Sequence, residues 1–169
     1  MRFLILFIFL ASNSFATEAT NIKNLIINKN LKKYDDLTFL DENYKEVNLN
    51  DYKGNLIMLN FWATWCAPCK KEMPSLDSLQ INSKLDNLII FPINIGQDDL
   101  EKSLKFFQDL KIKNLRIYFD SSITLAKKVS LRGIPTTILI NKDGFEFARI
   151  IGSIDFEDQK FLDWLYNFN

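Results

Sequence analysis

The sequence predicts an α/β sandwich, and three observations carry that expectation. Leu56 to Phe61 and Leu88 to Phe91 are nearly continuous apolar runs, as in strands covered on both faces. Segments with apolar residues at helical spacing lie between and after the strands. An Asp143-Gly144 turn between Thr136–Ile140 and Phe145–Ile151 marks a hairpin near the end of the chain. Strands alternating with helices point to layers packed about one sheet.

Taken in order, Arg2, the unbroken apolar run Phe3–Leu10 and the small-x-small Ser14-Phe15-Ala16 identify residues 1–16 as an expected signal peptide. About eight apolar residues reach roughly 12 Å as a helix against a bilayer core of roughly 30 Å. An uncleaved membrane anchor is therefore the lesser alternative. Residues 17–33 are polar around Leu25-Ile26-Ile27 and read as a tether or a loosely docked lead-in, with the domain proper at 34–169. Leu37–Leu40 and Glu46–Leu49 flank the turn-prone Asp41-Glu42-Asn43 and predict a β-hairpin. The strand at Leu56 follows Gly54, and the helix after it is expected to run to about Leu85. Pro92 is expected to weaken the second strand, because it lacks the ladder donor. A helix over Asp98–Leu110, a strand through Leu115, Ile117 and Phe119, and a short helix through Ile123, Ala126 and Val129 follow. After the hairpin, a last helix from about Asp155 is expected to bury Phe161, Leu165 and Phe168.

The 169 residues suit one domain, and 47% apolar with 25% charged residues suits a packed core. Basic and acidic residues balance at 21 each, so no basic footprint for nucleic acid exists, and the lysine pairs read as solvated faces. Histidine is absent, which excludes a Ser-His-Asp triad, a Cys-His dyad and His-ligated metals. Both cysteines lie in one C-x-x-C, Cys66-Ala67-Pro68-Cys69, so no framework of distant bridges is available.

That pair carries the chemistry. A thiolate is the attacking species, and a free cysteine near pKa ~8.5 is mostly protonated at neutral pH. At a strand-to-helix junction, Cys66 would face unpaired N–H groups and the positive end of the helix dipole. Cys69, one turn further in, is placed to resolve a mixed disulfide. Pro68 fits the first turn, where its missing N–H has no intrahelical use. Half of a zinc site, a permanent local staple and two inert thiols are the competing readings. The first lacks further ligands, and the second closes too small a loop to gain much.

Phe61-Trp62-Ala63-Thr64-Trp65-Cys66-Ala67-Pro68-Cys69-Lys70-Lys71-Glu72-Met73-Pro74 resembles the active-site segment of the thioredoxin superfamily, in its TlpA/ResA-like branch. Gly133-Ile134-Pro135-Thr136-Thr137 resembles that family's cis-proline loop. The resemblance implies a thioredoxin-like three-layer sandwich with an N-terminal β-hairpin and a central strand–helix insertion. It implies that Pro135 sets the Ile134 backbone beside the cysteines, where it can hydrogen-bond an extended partner, with Trp65 in the docking surface. Asn60 stands where thioredoxins carry a buried aspartate, and an amide cannot move a proton. Glu72, three residues after Cys69, is the expected proton acceptor or donor for Cys69; a solvated helix glutamate is the alternative. Trp62 is expected in the core, and Pro74 to kink the helix. The family further implies an exported reductant in the bacterial periplasm, serving apocytochrome c or an oxidase copper site. Its partners would be disulfide or dithiol proteins, and a membrane dithiol donor would recharge it. A monomer with no metal and no cofactor beyond the cysteine pair is expected. A thiol peroxidase and a copper-binding chaperone are the other functional readings; the former expects a proline and threonine ahead of its cysteine, and only Thr64 is present.

Overall fold

The computed structural model describes residues 22–168, so the expected signal peptide lies outside the described residues. Eight strands form one mixed sheet: β1 (Leu25–Lys33), β2 (Thr38–Asp41), β3 (Glu46–Asn48), β4 (Leu56–Trp62), β5 (Leu88–Asn94), β6 (Tyr118–Phe119), β7 (Thr136–Ile140) and β8 (Phe145–Ile151). The helices are α1 (Ala67–Gln80), α2 (Leu100–Asp109), α3 (Thr124–Lys128) and α4 (Gln159–Leu165). The sheet order is β1-β8-β7-β4-β5-β6-β2-β3. Strand β4 is central, parallel to β5 and antiparallel to β7, and every residue in it is buried.

Alternation along β4 divides the core. Leu56, Met58 and Trp62 pack on one face with Met73 and Leu76 of α1, Phe106 of α2 and Phe161 of α4. Ile57, Leu59 and Phe61 pack on the other with Phe39, Phe91 and Leu125 of α3. This period of two explains the apolar run: both faces of the strand are covered. The result is the expected thioredoxin-like layered sandwich, with the β2–β3 hairpin paired antiparallel at one edge.

Several elements differ from expectation. Leu25–Lys33, read as a tether or loosely docked lead-in, is an edge strand antiparallel to β8. Asn28 Nδ2 donates to Glu146 Oε1 at 3.0 Å, and the Tyr34 hydroxyl just beyond the strand donates to Glu146 Oε2, so polar contacts to a buried carboxylate dock it. Helix α1 ends at Gln80, whose Oε1 accepts the Ile90 N–H at 3.1 Å, and Leu85 reaches the core from a turn. The Leu115–Phe119 strand shortens to Tyr118–Phe119, because the Asp77 carboxylate takes the N–H groups of Lys113, Asn114 and Leu115. Pro92 does not break β5; its register with Asn60 is continuous. On the other side of β5, strand β6 pairs only with Ile93 and Asn94, so no neighbour there needs a donor from Pro92. The last helix starts at Gln159, with Asp158 rather than Asp155 at its cap.

Candidate active site

The site forms where β4 ends and α1 begins. Cys66 is the N-cap of α1, with extended backbone, and its Sγ accepts the Cys69 N–H at 3.3 Å. A sulfur held there faces the unpaired donors and the positive dipole end of a 14-residue helix, which favour a thiolate. Cys66 and Cys69 are disulfide-bonded. Cys66 keeps 4% of its surface in contact with solvent and Cys69 keeps none, so any partner meets Cys66 first.

The loop before Cys66 is clamped from the β5–α2 connection. Asp98 Oδ1 accepts the Thr64 hydroxyl at 2.9 Å and Oδ2 accepts the Thr64 N–H at 3.1 Å. Asn94 Nδ2 donates to Asp98 Oδ2 at 3.1 Å, and Asn94 Oδ1 accepts the Gly96 N–H at 2.7 Å. A Cβ on Gly96 would lie 2.7 Å from Ala63 Cβ and 2.8 Å from Asp98 Oδ2, so only glycine lets the two loops approach. Sequence reasoning missed this clamp and assigned Asp98 to a helix start. Its one signal was the tandem Asp98-Asp99, of which a single residue can cap; Asp99 Oδ1 accepts the Lys102 N–H at 2.8 Å.

Beneath the cysteines, Glu72 lies one turn along α1 from Cys69 and is 1% exposed, which contradicts the solvated alternative. Asn60 Nδ2 donates to Glu72 Oε1 at 2.8 Å and to Thr137 Oγ1 at 2.9 Å. Among the described residues, none is a hydrogen-bond partner of Glu72 Oε2. Burial pushes the carboxyl up to about 7, against the hydrogen bond from Asn60 that favours its charged form. Trp62 is fully buried against Phe106 and Phe107.

The Ile134–Pro135 peptide is cis, and the Pro135 carbonyl accepts the Gly152 N–H at 2.9 Å. Trp65 is 69% exposed, the residue next to Cys66. With Ile134, Ile95, Ile123, Ala126 and Leu131 it lines a mostly apolar groove of about 270 Å³, to which Gly133 and the charged Lys127 also contribute. Trp65 and Ile134 thus share one groove wall, Pro135 follows Ile134 through the cis peptide, and Cys69 and Glu72 are buried on α1.

Residues 30–145 match the AhpC/TSA family. The chain is 32% identical over 123 residues to the thiol-disulfide oxidoreductase ResA of Geobacillus kaustophilus, covering 73% of this chain and 70% of that protein. It is 35% identical over 108 residues to ResA of Bacillus cereus, covering 64% of this chain and 61% of that protein. The latter match thus spans less than two thirds of the relative's length. Among solved structures, StoA of Bacillus subtilis superposes with a TM-score of 0.64 at 26% identity, over 78% of this chain and 96% of StoA. A DsbF homologue from Corynebacterium diphtheriae gives a TM-score of 0.68 at 24% identity, over 85% and 94% of the two chains, and shares the fold.

Proposed function

The chain belongs to the AhpC/TSA family, and from that membership and its site geometry we propose that it is a thiol–disulfide oxidoreductase reducing partner proteins. The single observation that carries this is Cys66 Sγ at the N-terminus of α1, accepting the Cys69 N–H and bonded to a buried Cys69.

In the reduced protein, the Cys66 thiolate attacks one sulfur of a partner disulfide. A Cys66–partner bond forms, and the partner's other sulfur leaves as a thiolate and takes a proton. Cys69 then gives up its proton and attacks Cys66 Sγ, closing the Cys66–Cys69 disulfide and releasing the partner's second thiolate. Two electrons pass from the dithiol to the partner. Glu72 receives the Cys69 proton: its unpartnered Oε2 is the free oxygen, and its carboxyl titrates near neutrality. Asn60 holds the other oxygen and cannot itself take the proton.

Trp65, Ile134 and Pro135 present the partner's segment to Cys66. Ile134 offers no side-chain hydrogen bond to stabilise a thiolate, which supports a reductant over an oxidant. The apolar run Phe3–Leu10 and Ser14-Phe15-Ala16, read as a signal peptide, support export to a periplasm, where a membrane dithiol donor recharges the pair. Its partners there are disulfide-bonded proteins, with apocytochrome c and oxidase copper sites as candidates.

The test is redox equilibration with glutathione, followed by turnover of a protein disulfide. The expected potential lies nearer the roughly −270 mV of thioredoxin than the roughly −120 mV of a strong oxidant. A value near the latter, or turnover driven by peroxide but not by a disulfide, overturns the reading.

A further inference from the structure

Seven non-glycine residues have positive φ among the described residues, and Ile123 is the β-branched one, at φ 57° and ψ 26°. Left-handed backbone suits glycine and asparagine; a branched Cβ crowds the carbonyl there, so isoleucine is a true outlier. The surroundings over-determine it. The Ile123 N–H donates to the Asp120 carbonyl at 2.9 Å, and the Ile123 carbonyl accepts the Lys127 N–H at 3.1 Å. The Asp120 carboxylate accepts the N–H groups of Thr124, Leu125 and Ala126, fixing the first turn of α3.

What the side chain does in return is not core packing. Among the described residues Ile123 belongs to neither hydrophobic cluster, whereas Ile95 and Leu131 pack against one and Ile134 against both. It is half-buried and stands in the wall of the groove beside Trp65. Strain kept without a gain in packing points to function. Because Trp65 directly precedes Cys66, a segment bonded to Cys66 Sγ lies against this groove.

We propose that Ile123 is a partner-contacting residue that, with Trp65, receives an apolar side chain flanking the cysteine of an extended partner segment. The inference rests on the reading of Cys66 as the attacking sulfur. The backbone cost of isoleucine at this position is retained because the side chain supplies the wall that distinguishes apolar from polar flanking residues.

The experiment uses two disulfide-bonded peptides that differ in one residue beside the cysteine, isoleucine or serine, and a small aromatic disulfide as control. The native protein is expected to reduce the isoleucine peptide about tenfold faster in kcat/KM, as for one well-buried apolar anchor. Ile123→Gly is expected to bring that ratio near one, slow the small disulfide by a smaller factor than the isoleucine peptide, and raise Tm by a few degrees as the strain is relieved. Ile123→Leu restores the ratio without the gain in Tm. An undiminished ratio in Ile123→Gly, or an equal loss on all three substrates, overturns the proposal. No turnover of any substrate by the native protein overturns instead the oxidoreductase reading beneath it.

Discussion

In Glu72→Gln, release of the partner by Cys69 is expected to be about 10²-fold slower at pH 8 than in the native protein, the lower end of what a positioned base contributes. The native rate of this step rises with pH through about 7, as the carboxyl becomes able to accept a proton. The variant loses that inflection. Rapid-mixing kinetics on a preformed mixed disulfide measure the step directly. Stability moves the opposite way. Burial raises the folded carboxyl from 4.5 to about 7, so the folded state holds the proton more tightly than the unfolded chain. The associated stability is fully present below about pH 4.5 and is lost as pH rises towards 7, an effect of the order of 3 kcal/mol. Glutamine never ionises, so the variant is expected to outlast the native protein in urea at pH 8 and to show no such gain at pH 4. Loss of rate with gain of stability is the signature of a buried acid kept for proton transfer. A surface glutamate would change neither.

Arg149→Ala is expected to destabilise the fold by about 3–5 kcal/mol, because it strands a buried carboxylate. The Glu146 side chain has no solvent contact, and Arg149 Nη2 lies 2.9 Å from its Oε2. Burial pushes the Glu146 carboxyl up, but hydrogen bonds from Arg149, Tyr34 and Asn28 outweigh it and hold it below its ordinary value. The Tyr34 hydroxyl is pushed up to about 12, by its own burial first and by the Glu146 charge. Arg149 Nη2 also donates to the Val129 carbonyl at 2.6 Å, tying the sheet to the end of α3. Thermal unfolding is expected to fall by about 10 °C. Replacing both partners, as Arg149→Met with Glu146→Leu, recovers most of the loss, since no buried charge is then unpaired.

The legible parts of the chain were those whose signals are local. The C-x-x-C after an apolar strand located Cys66 and Cys69, and the three-residue step placed Glu72 on their helix. A partly desolvated Glu72 was expected from the resemblance; its near-complete burial depends on β4 turning Asn60 towards α1, which no local signal carries. Strand β1 was missed for the same reason: its docking runs through Glu146, 118 residues from Asn28. Asp77 shortens β6 by capturing N–H groups 36 to 38 residues away, which no periodicity foretells. The left-handed turn at Ile123 is imposed by Asp120 on a Ser-Ser-Ile-Thr segment that carries no turn glycine.

The asymmetry of the two sulfurs is the centre of the account, and trapping tests it most directly. Cys69→Ser, reduced and mixed with a disulfide-bonded protein, is expected to accumulate a mixed disulfide mapped by mass spectrometry to Cys66. Cys66→Ser under the same conditions is expected to accumulate none. A stable adduct on Cys69 in Cys66→Ser, or no adduct in Cys69→Ser, contradicts it.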